Sequence, residues 1–456
     1  MKSSLRLCVG MTALLASYGT AVAGDWTQLY GGISVGADAF TGSAKVVDLT
    51  SGQSLLKASG PFGADIGASL TIGADYQINR HWVIGGQFSY DWSRSQTEAS
   101  IREQGITANA SLMAIDRMWF GGARLGFLVT DQTLVYGLLG YSWLSVEDLK
   151  FSASNGGNTV SARLPLPSSQ GVTIGGGIEH KLSHNVSLRA EYRLTDYGRE
   201  IIFHDPGNNI SVTGQAQSHV ARLGAFYRFG APSGEQAQAA AADTGTWSGG
   251  YLSVGVGLAS YLRDLTIAGT SPGHVGDVAE VSGLGGGNML IGLSAGYDFL
   301  VSPRVIAGIV VSIDAGTANH ELAFSSQGNK ATIDLLNQKY GWSIGGRAGY
   351  LFAPSLLGYV SAGFAQIQFE DATLMANGAD IYRFPFSALN GVYAGVGFEK
   401  QLNARWLIKT EYQYSAFETF TVNNFAVGGD QARVTFDPSS HAVKLSVGYR
   451  FGQLGQ

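Results

Sequence analysis

Two stretches decide the fold. One reads HVARLGAFYRFG from His219 to Gly230, and the other HAVKLSVGYRFG from His441 to Gly452. In the first, Ala221, Leu223, Ala225, Tyr227 and Phe229 share one parity, and Arg222, Gly224 and Arg228 the other. In the second, Val443, Leu445, Val447, Tyr449 and Phe451 alternate with Lys444, Ser446, Gly448 and Arg450. Period-two alternation is a β-strand with one greasy and one polar face. Each stretch ends in a Tyr-Arg-Phe run. A chain that carries such a strand twice is predicted to be one β-architecture made twice.

Working outward, the halves align at many positions. Trp26-Thr27 and Tyr30 match Trp247-Ser248 and Tyr251. Arg124, Gly126, Phe127 and Leu128 match Arg347, Gly349, Tyr350 and Leu351, and Glu147-Asp148 matches Glu370-Asp371. Gly175, Gly177, Glu179, Leu182 and Glu191-Tyr192 match Gly395, Gly397, Glu399, Leu402 and Glu411-Tyr412. Agreement sustained over this span indicates duplication. Eight strands are predicted per unit, near 28-40, 68-78, 82-92, 117-129, 133-146, 169-182, 185-197 and 219-229, then 249-261, 288-300, 304-314, 341-352, 356-369, 390-402, 405-416 and 441-451. Tight turns such as Asn79-Arg80-His81 and Ser302-Pro303 alternate with long polar loops near 41-67, 93-116, 147-168, 198-218, 262-287, 315-340, 370-389 and 417-440.

The chain is 45% hydrophobic and 14% charged, with 64 glycines among 456 residues. A soluble domain is about 25% charged. The formal net charge of -5 is no nucleic-acid footprint. Lys2 and Arg6, the apolar run Leu7 to Ala16 and Ala21-Val22-Ala23 predict a cleaved signal peptide over residues 1-23. Cys8, the only cysteine, lies inside it, so the mature chain has no disulfide or cysteine chemistry to offer. Beyond it no apolar run approaches ~18 residues. Strands of about 10 residues in an exported, glycine-rich chain of low charge predict a transmembrane β-barrel, since only helices and closed barrels satisfy every backbone group in lipid. Long loops then face outside the cell and short turns the periplasm. Ala231 to Thr246 is predicted to be a periplasmic linker between a barrel at 24-230 and one at 247-456. A single sixteen-stranded barrel, a diffusion porin for small hydrophilic solutes, is the alternative.

The opening W-[ST]-x-x-Y, the R-x-G-[FY]-L run, G-x-G-[IF]-E-x-x-L with a later E-Y, and the Y-R-F end together resemble the small OmpA-like outer-membrane β-barrel proteins, especially the abundant surface proteins of alphaproteobacteria. The resemblance spans both halves. It implies an eight-stranded antiparallel barrel per copy, inserted by the barrel-assembly machinery. Family members usually carry one barrel and end on the aromatic residue; this chain repeats the unit and continues Gly452 to Gln456.

The inward parity carries the candidate site. Arg124, Glu179, Lys181, Arg189, Glu191, Arg193 and Arg222 in unit one, and Arg347, Glu399, Lys409, Glu411 and Lys444 in unit two, alternate with apolar residues. An Arg or Lys on the lipid face costs about 2–4 kcal/mol at the midplane, so these belong in the lumen. An eight-stranded lumen is filled by side chains, which predicts an ion-pair network as a plug. A gated small-solute path is the sharper alternative. The aromatics Trp26, Tyr30, Trp82, Trp119, Tyr192, Tyr227, Trp247, Trp342, Trp406 and Tyr449 are expected in interface girdles. Ser218-His219 and Ser440-His441 recur at the outer strand end, but neighbours on a strand point to opposite faces, so a rim contact, with lipopolysaccharide phosphate for instance, is favoured over a Ser/His catalyst. Glu147, Asp148, Glu370 and Asp371 are expected at a solvated rim. No metal-binding motif, phosphate loop or cofactor signature is present. The predicted role is structural and interactive, in envelope integrity and surface display, with no catalysis. Outer-membrane lipid and lipopolysaccharide are the expected partners; the loops show no ligand motif.

Overall fold

In the computed structural model the described residues are 26–229 and 247–452, apart from 52–53, 156, 206, 208, 274, 317–320, 327–328, 335–336 and 428–429. The predicted signal peptide and the 231–246 linker thus lie outside them. The first half runs β1 (Gln28–Asp48), β2 (Ser54–Gln77), β3 (Trp82–Ser93), β4 (Gln96–Glu103), β5 (Ile106–Thr130), β6 (Thr133–Val146), β7 (Leu149–Asn155), β8 (Asn158–Leu164), β9 (Ser169–Lys181), β10 (Val186–Asp205) and β11 (Ile210–Phe229). The second runs β12 (Gly249–Gly269), β13 (Val278–Ser302), β14 (Val305–Gly316), β15 (Glu321–Ser326), β16 (Asn329–Asp334), β17 (Gln338–Ala353), β18 (Leu356–Phe369), β19 (Ala372–Ala376), β20 (Ala379–Phe384), β21 (Leu389–Gln401), β22 (Trp406–Phe417), β23 (Phe420–Val427) and β24 (Asp430–Gly452).

All pairings are antiparallel, and they form two rings. In the first the order is β1, β2, β3, β5, β6, β9, β10, β11 and back to β1. In the second it is β12, β13, β14, β17, β18, β21, β22, β24 and back to β12. A merged sixteen-stranded barrel would join β11 to β12 and β24 to β1. Instead β1 takes β11 as its second neighbour, in a register that sets Leu29 opposite Phe229 and Asp48 opposite Ile210.

Alternation orders each wall. Ile33 is 68% exposed and Val35 50%, while the intervening Ser34 is buried in the lumen. Glycines face the bulkiest lumen residues: a Cβ on Gly177 would meet Tyr136 Oη at 2.5 Å, and one on Gly397 would meet Tyr359 Oη at 2.5 Å. That is the use of strand glycine where a large neighbour approaches.

The strands are longer than predicted, and most of the expected loops are hairpins. β1 runs to Asp48 and β2 starts at Ser54, through the stretch expected as a loop at 41-67. Bulges at Phe40/Thr41, Val46/Val47 and Thr97/Glu98 break the parity there, which hides the strands from a period-two reading. The outer hairpins are exchanged between units. β4 pairs with β13 through Ala99 and Val281, which builds the sheet β13-β4-β5-β7-β8. Reciprocally, β15 pairs with β2 through Phe324 and Ala58, which builds β2-β15-β16-β19-β20. Asn377 and Gly378, both at positive φ, make the β19–β20 turn.

The barrels also touch through their walls. Ala221, Leu258 and Val443 form one buried cluster, with Tyr192 and Tyr412 packed on it. Ala190 and Leu223, on the parity expected to face lipid, are buried as well. On the same parity away from the interface, Leu139 is 60% exposed.

Candidate functional site: the two lumens

The inner end of each lumen holds one charged cluster built the same way. In unit one Glu179, from β9, is its centre. It accepts from Arg124 Nη1 at 2.9 Å, Arg189 Nη2 at 2.8 Å, Arg228 Nη2 at 2.7 Å and Ser187 Oγ at 2.6 Å. Asp75 accepts from Arg124 Nε at 2.8 Å and Arg228 Nη2 at 2.9 Å. Aromatic faces complete the cage: the Arg124 guanidinium lies 4.7 Å from the Tyr30 ring, Arg228 4.4 Å from Trp26, and Lys181 Nζ 4.4 Å from Trp26. In unit two Arg347 donates to Asp298 at 2.8 Å and to Glu399 at 2.9 Å, and Arg450 reaches both carboxylates at 2.7 Å. Tyr251 and Trp247 stand where Tyr30 and Trp26 stand in unit one.

Above this base the two lumens diverge. In unit one Glu191 accepts from Tyr136 Oη at 2.7 Å and from Gln87 Nε2 at 3.0 Å, with Arg193 Nε at 3.3 Å. Arg193 also reaches Asp91 at 2.7 Å, and Arg222 reaches Asp38 at 2.5 Å. Phe120 and Phe226 are buried there too, with the Arg193 guanidinium 5.0 Å from the Phe120 ring and that of Arg189 3.9 Å from the Phe226 ring. In unit two, lysines replace two arginines: Lys409 sits 3.4 Å from Glu411, and Lys444 is 2.5 Å from Asp314 and 3.3 Å from Gln413 Oε1. Small cavities of about 20 and 40 Å³ remain around Asp314 and Lys444. Tyr261, Phe369, Phe386 and Leu389 close this lumen at its outer end.

Of the twelve charged residues expected on the inward parity, eleven are buried and Lys444 is partly buried, at the inner clusters or just above them. The reading omitted the carboxylate partners Asp75, Asp298, Asp38, Asp91 and Asp314, although each shares the inward parity of its strand. It also misplaced three aromatics. Trp26 (0% exposed), Tyr30 (2%) and Trp247 (5%) are inside the lumens, not in a girdle. Tyr30 has the parity of Gln28 and Ser34, and its ring stacks on a guanidinium that needs an apolar, electron-rich face. Trp82, Trp119, Tyr227 and Trp406 are exposed on the outer wall as a girdle requires.

The rim residues are engaged within the protein. His219 Nδ1 lies 2.8 Å from Tyr192 Oη, and His441 Nδ1 2.7 Å from Tyr412 Oη. Ser218, by contrast, points inward and bonds Tyr197 Oη at 3.1 Å, so the Ser-His pair is split between faces. Glu147 pairs with Lys150 at 2.7 Å, Asp148 with Arg163 at 2.5 Å and Asp371 with Arg383 at 3.0 Å. Glu370 is exposed. Among the described residues no group of acidic or histidine side chains is arranged to hold a metal ion.

Antiparallel strand rings with apolar outer walls and charged inner ones define a β-barrel protein of the bacterial outer membrane. Sequence comparison agrees: the outer membrane protein beta-barrel domain family matches residues 8–229 and again 236–451, and the chain belongs to that family. The 31 kDa outer-membrane immunogenic protein of Brucella melitensis is 29% identical over 161 residues, which cover 34% of this chain and 63% of that relative. The chain therefore spans less than two thirds of the relative's length. Among solved structures, Ail, the attachment invasion locus protein of Yersinia pestis, aligns at 19% identity with 44% of this chain and 99% of its own, at a TM-score of 0.20. A Pseudomonas aeruginosa FadL homologue aligns at 10% identity with 93% of this chain and 90% of its own, at a TM-score of 0.29. The family match and the outer-membrane relative place the protein in the outer membrane of a Gram-negative bacterium.

Proposed function

We propose that this protein is a structural and surface-interaction component of the outer membrane, built as two plugged eight-stranded barrels joined by a periplasmic linker over residues 231–246. The observation that supports this reading is the filled lumen. Guanidiniums and carboxylates bridge opposite walls at the inner end of both barrels, from Asp75 to Glu179 and from Asp298 to Glu399, which supports a lumen closed there. The exchanged outer hairpins make the surface face a joint product of both copies, which suits display and contact. On this reading the protein carries no catalytic chemistry.

The cavities around Lys444 favour a second reading for unit two alone: a low-conductance path for small solutes that opens when the Arg347 and Arg450 pairs swap partners. Planar-bilayer recording separates the readings. The plugged form gives silence, a path in unit two gives small flickering steps, and stable nanosiemens steps would overturn both.

A further inference from the structure

The barrel–barrel interface is tight along its outer half and parts toward the short turns. Outside, Ala221, Leu258 and Val443 are in contact, and His441 Nε2 of one unit lies 4.0 Å from Asp65 Oδ1 of the other. Inward, a crevice of about 40 Å³ separates β9 and β10 from β21 and β22. Its walls are apolar, with Leu188 and Ala190 on one side and Leu356, Phe398 and Ile408 on the other.

Four polar groups interrupt those walls, all on the outward parity: Thr133, His180, Lys400 and Thr410. Lys400 Nζ is 2.5 Å from Ser355 Oγ, and His180 Nδ1 is 2.9 Å from Thr133 Oγ1. Thr410 Oγ1 is buried with no hydrogen-bond partner among the described residues. His180 and Lys400 stand just before the turns that lead into β10 and β22, at the level of the exposed ring of Trp406. A cation on the outer wall costs least at this depth, where it meets headgroups. An apolar slot ending in a lysine and a histidine matches one ligand chemistry, a hydrocarbon chain that carries a phosphate.

We infer that one phospholipid of the periplasmic leaflet docks along the open mouth of this crevice, an acyl chain lying over Leu188 and Phe398 and its phosphate at Lys400 and His180. Lipopolysaccharide shares the chemistry, but its leaflet is at the long-hairpin end. A lone barrel cannot form the site, because each unit supplies one wall and one of the two phosphate-binding side chains.

The test is native mass spectrometry of the mature full-length chain, refolded into vesicles of dioleoylphosphatidylglycerol and extracted in mild detergent. The wild type is expected to retain one phospholipid, K400L/H180L to lose at least ten-fold in occupancy, and R304L, a cation removed from a turn outside the crevice, to retain it. I408W, which fills the slot and keeps both phosphate ligands, should also lose the lipid. Heat-modifiable gel migration verifies that each variant is folded. A wild type that retains no lipid, equal retention by both crevice variants, or equal loss in R304L would overturn the assignment. Lipid A held in this crevice by protein from native membranes would overturn its leaflet.

Discussion

Replacing Glu179 with leucine removes the carboxylate that three arginines share. Arg124, Arg189 and Arg228 lie 2.9, 2.8 and 2.7 Å from it, and their side chains are at most 2% exposed. After the change Asp75 still serves Arg124 and Arg228, but Arg189 is left with no carboxylate among the described residues, only the Gln87 Oε1 acceptor at 3.2 Å and aromatic faces such as Phe226. Breaking a buried pair by deleting one partner costs about 3–5 kcal/mol, because a charge is left uncompensated. Glu399→Leu is the matched control: it strands two guanidiniums, Arg347 and Arg450, and Asp298 contacts both. The expected losses are about 3 kcal/mol for E399L and at least about 5 kcal/mol for E179L, from the two ends of that range. Urea unfolding in lipid vesicles, followed by tryptophan fluorescence, reads both. A loss below about 1 kcal/mol for E179L, the size of an exposed surface pair, or the reverse order, would refute the claim that these clusters hold the barrels shut.

Three further outcomes follow from the same geometry. Ala99→Cys with Val281→Cys, opposed on β4 and β13, should form a disulfide that joins the two halves after a protease site placed in 231–246 is cut; failure to cross-link under oxidation would count against the exchanged hairpins. Gly177→Ala pushes on the Tyr136 hydroxyl and should cost about 1–3 kcal/mol as overpacking, read by the same urea titration, whereas the change at Gly137, whose added methyl meets nothing closer than 3.9 Å, should cost less. Phe369→Ala, in the outer cap of the second lumen, should cost about 3–5 kcal/mol and raise channel activity in planar bilayers; unchanged recordings would remove the cap from the account of closure.

Much of this was legible because period two is strict where one face meets lipid. Arg124, Glu179, Glu191, Arg222 and their counterparts could be placed in the lumen from parity alone. The outer strands were not legible, since no apolar environment enforces alternation there and bulges at Phe40 and Thr97 shift it. Trp26 and Tyr30 were misread because an aromatic at a strand end suits a girdle or a guanidinium stack equally well. Parity separates these for Tyr30, which shares a face with Ser34 and Asp38, both buried. The contact between barrels left no trace in composition: Ala190, Ala221 and Leu258 are apolar whether their neighbour is a lipid tail or another wall.

Two separate rings are the central claim, and cysteine mapping tests it most directly, since the only native cysteine is Cys8. Ile33 opposes Ala225 across β1 and β11, and paired strand positions lie about 4.5–5.5 Å apart, within disulfide reach. In one sixteen-stranded barrel Ile33 would oppose Val447 instead. The account predicts rapid oxidation of I33C/A225C and none of I33C/V447C in the membrane-inserted protein; the reverse result would contradict it.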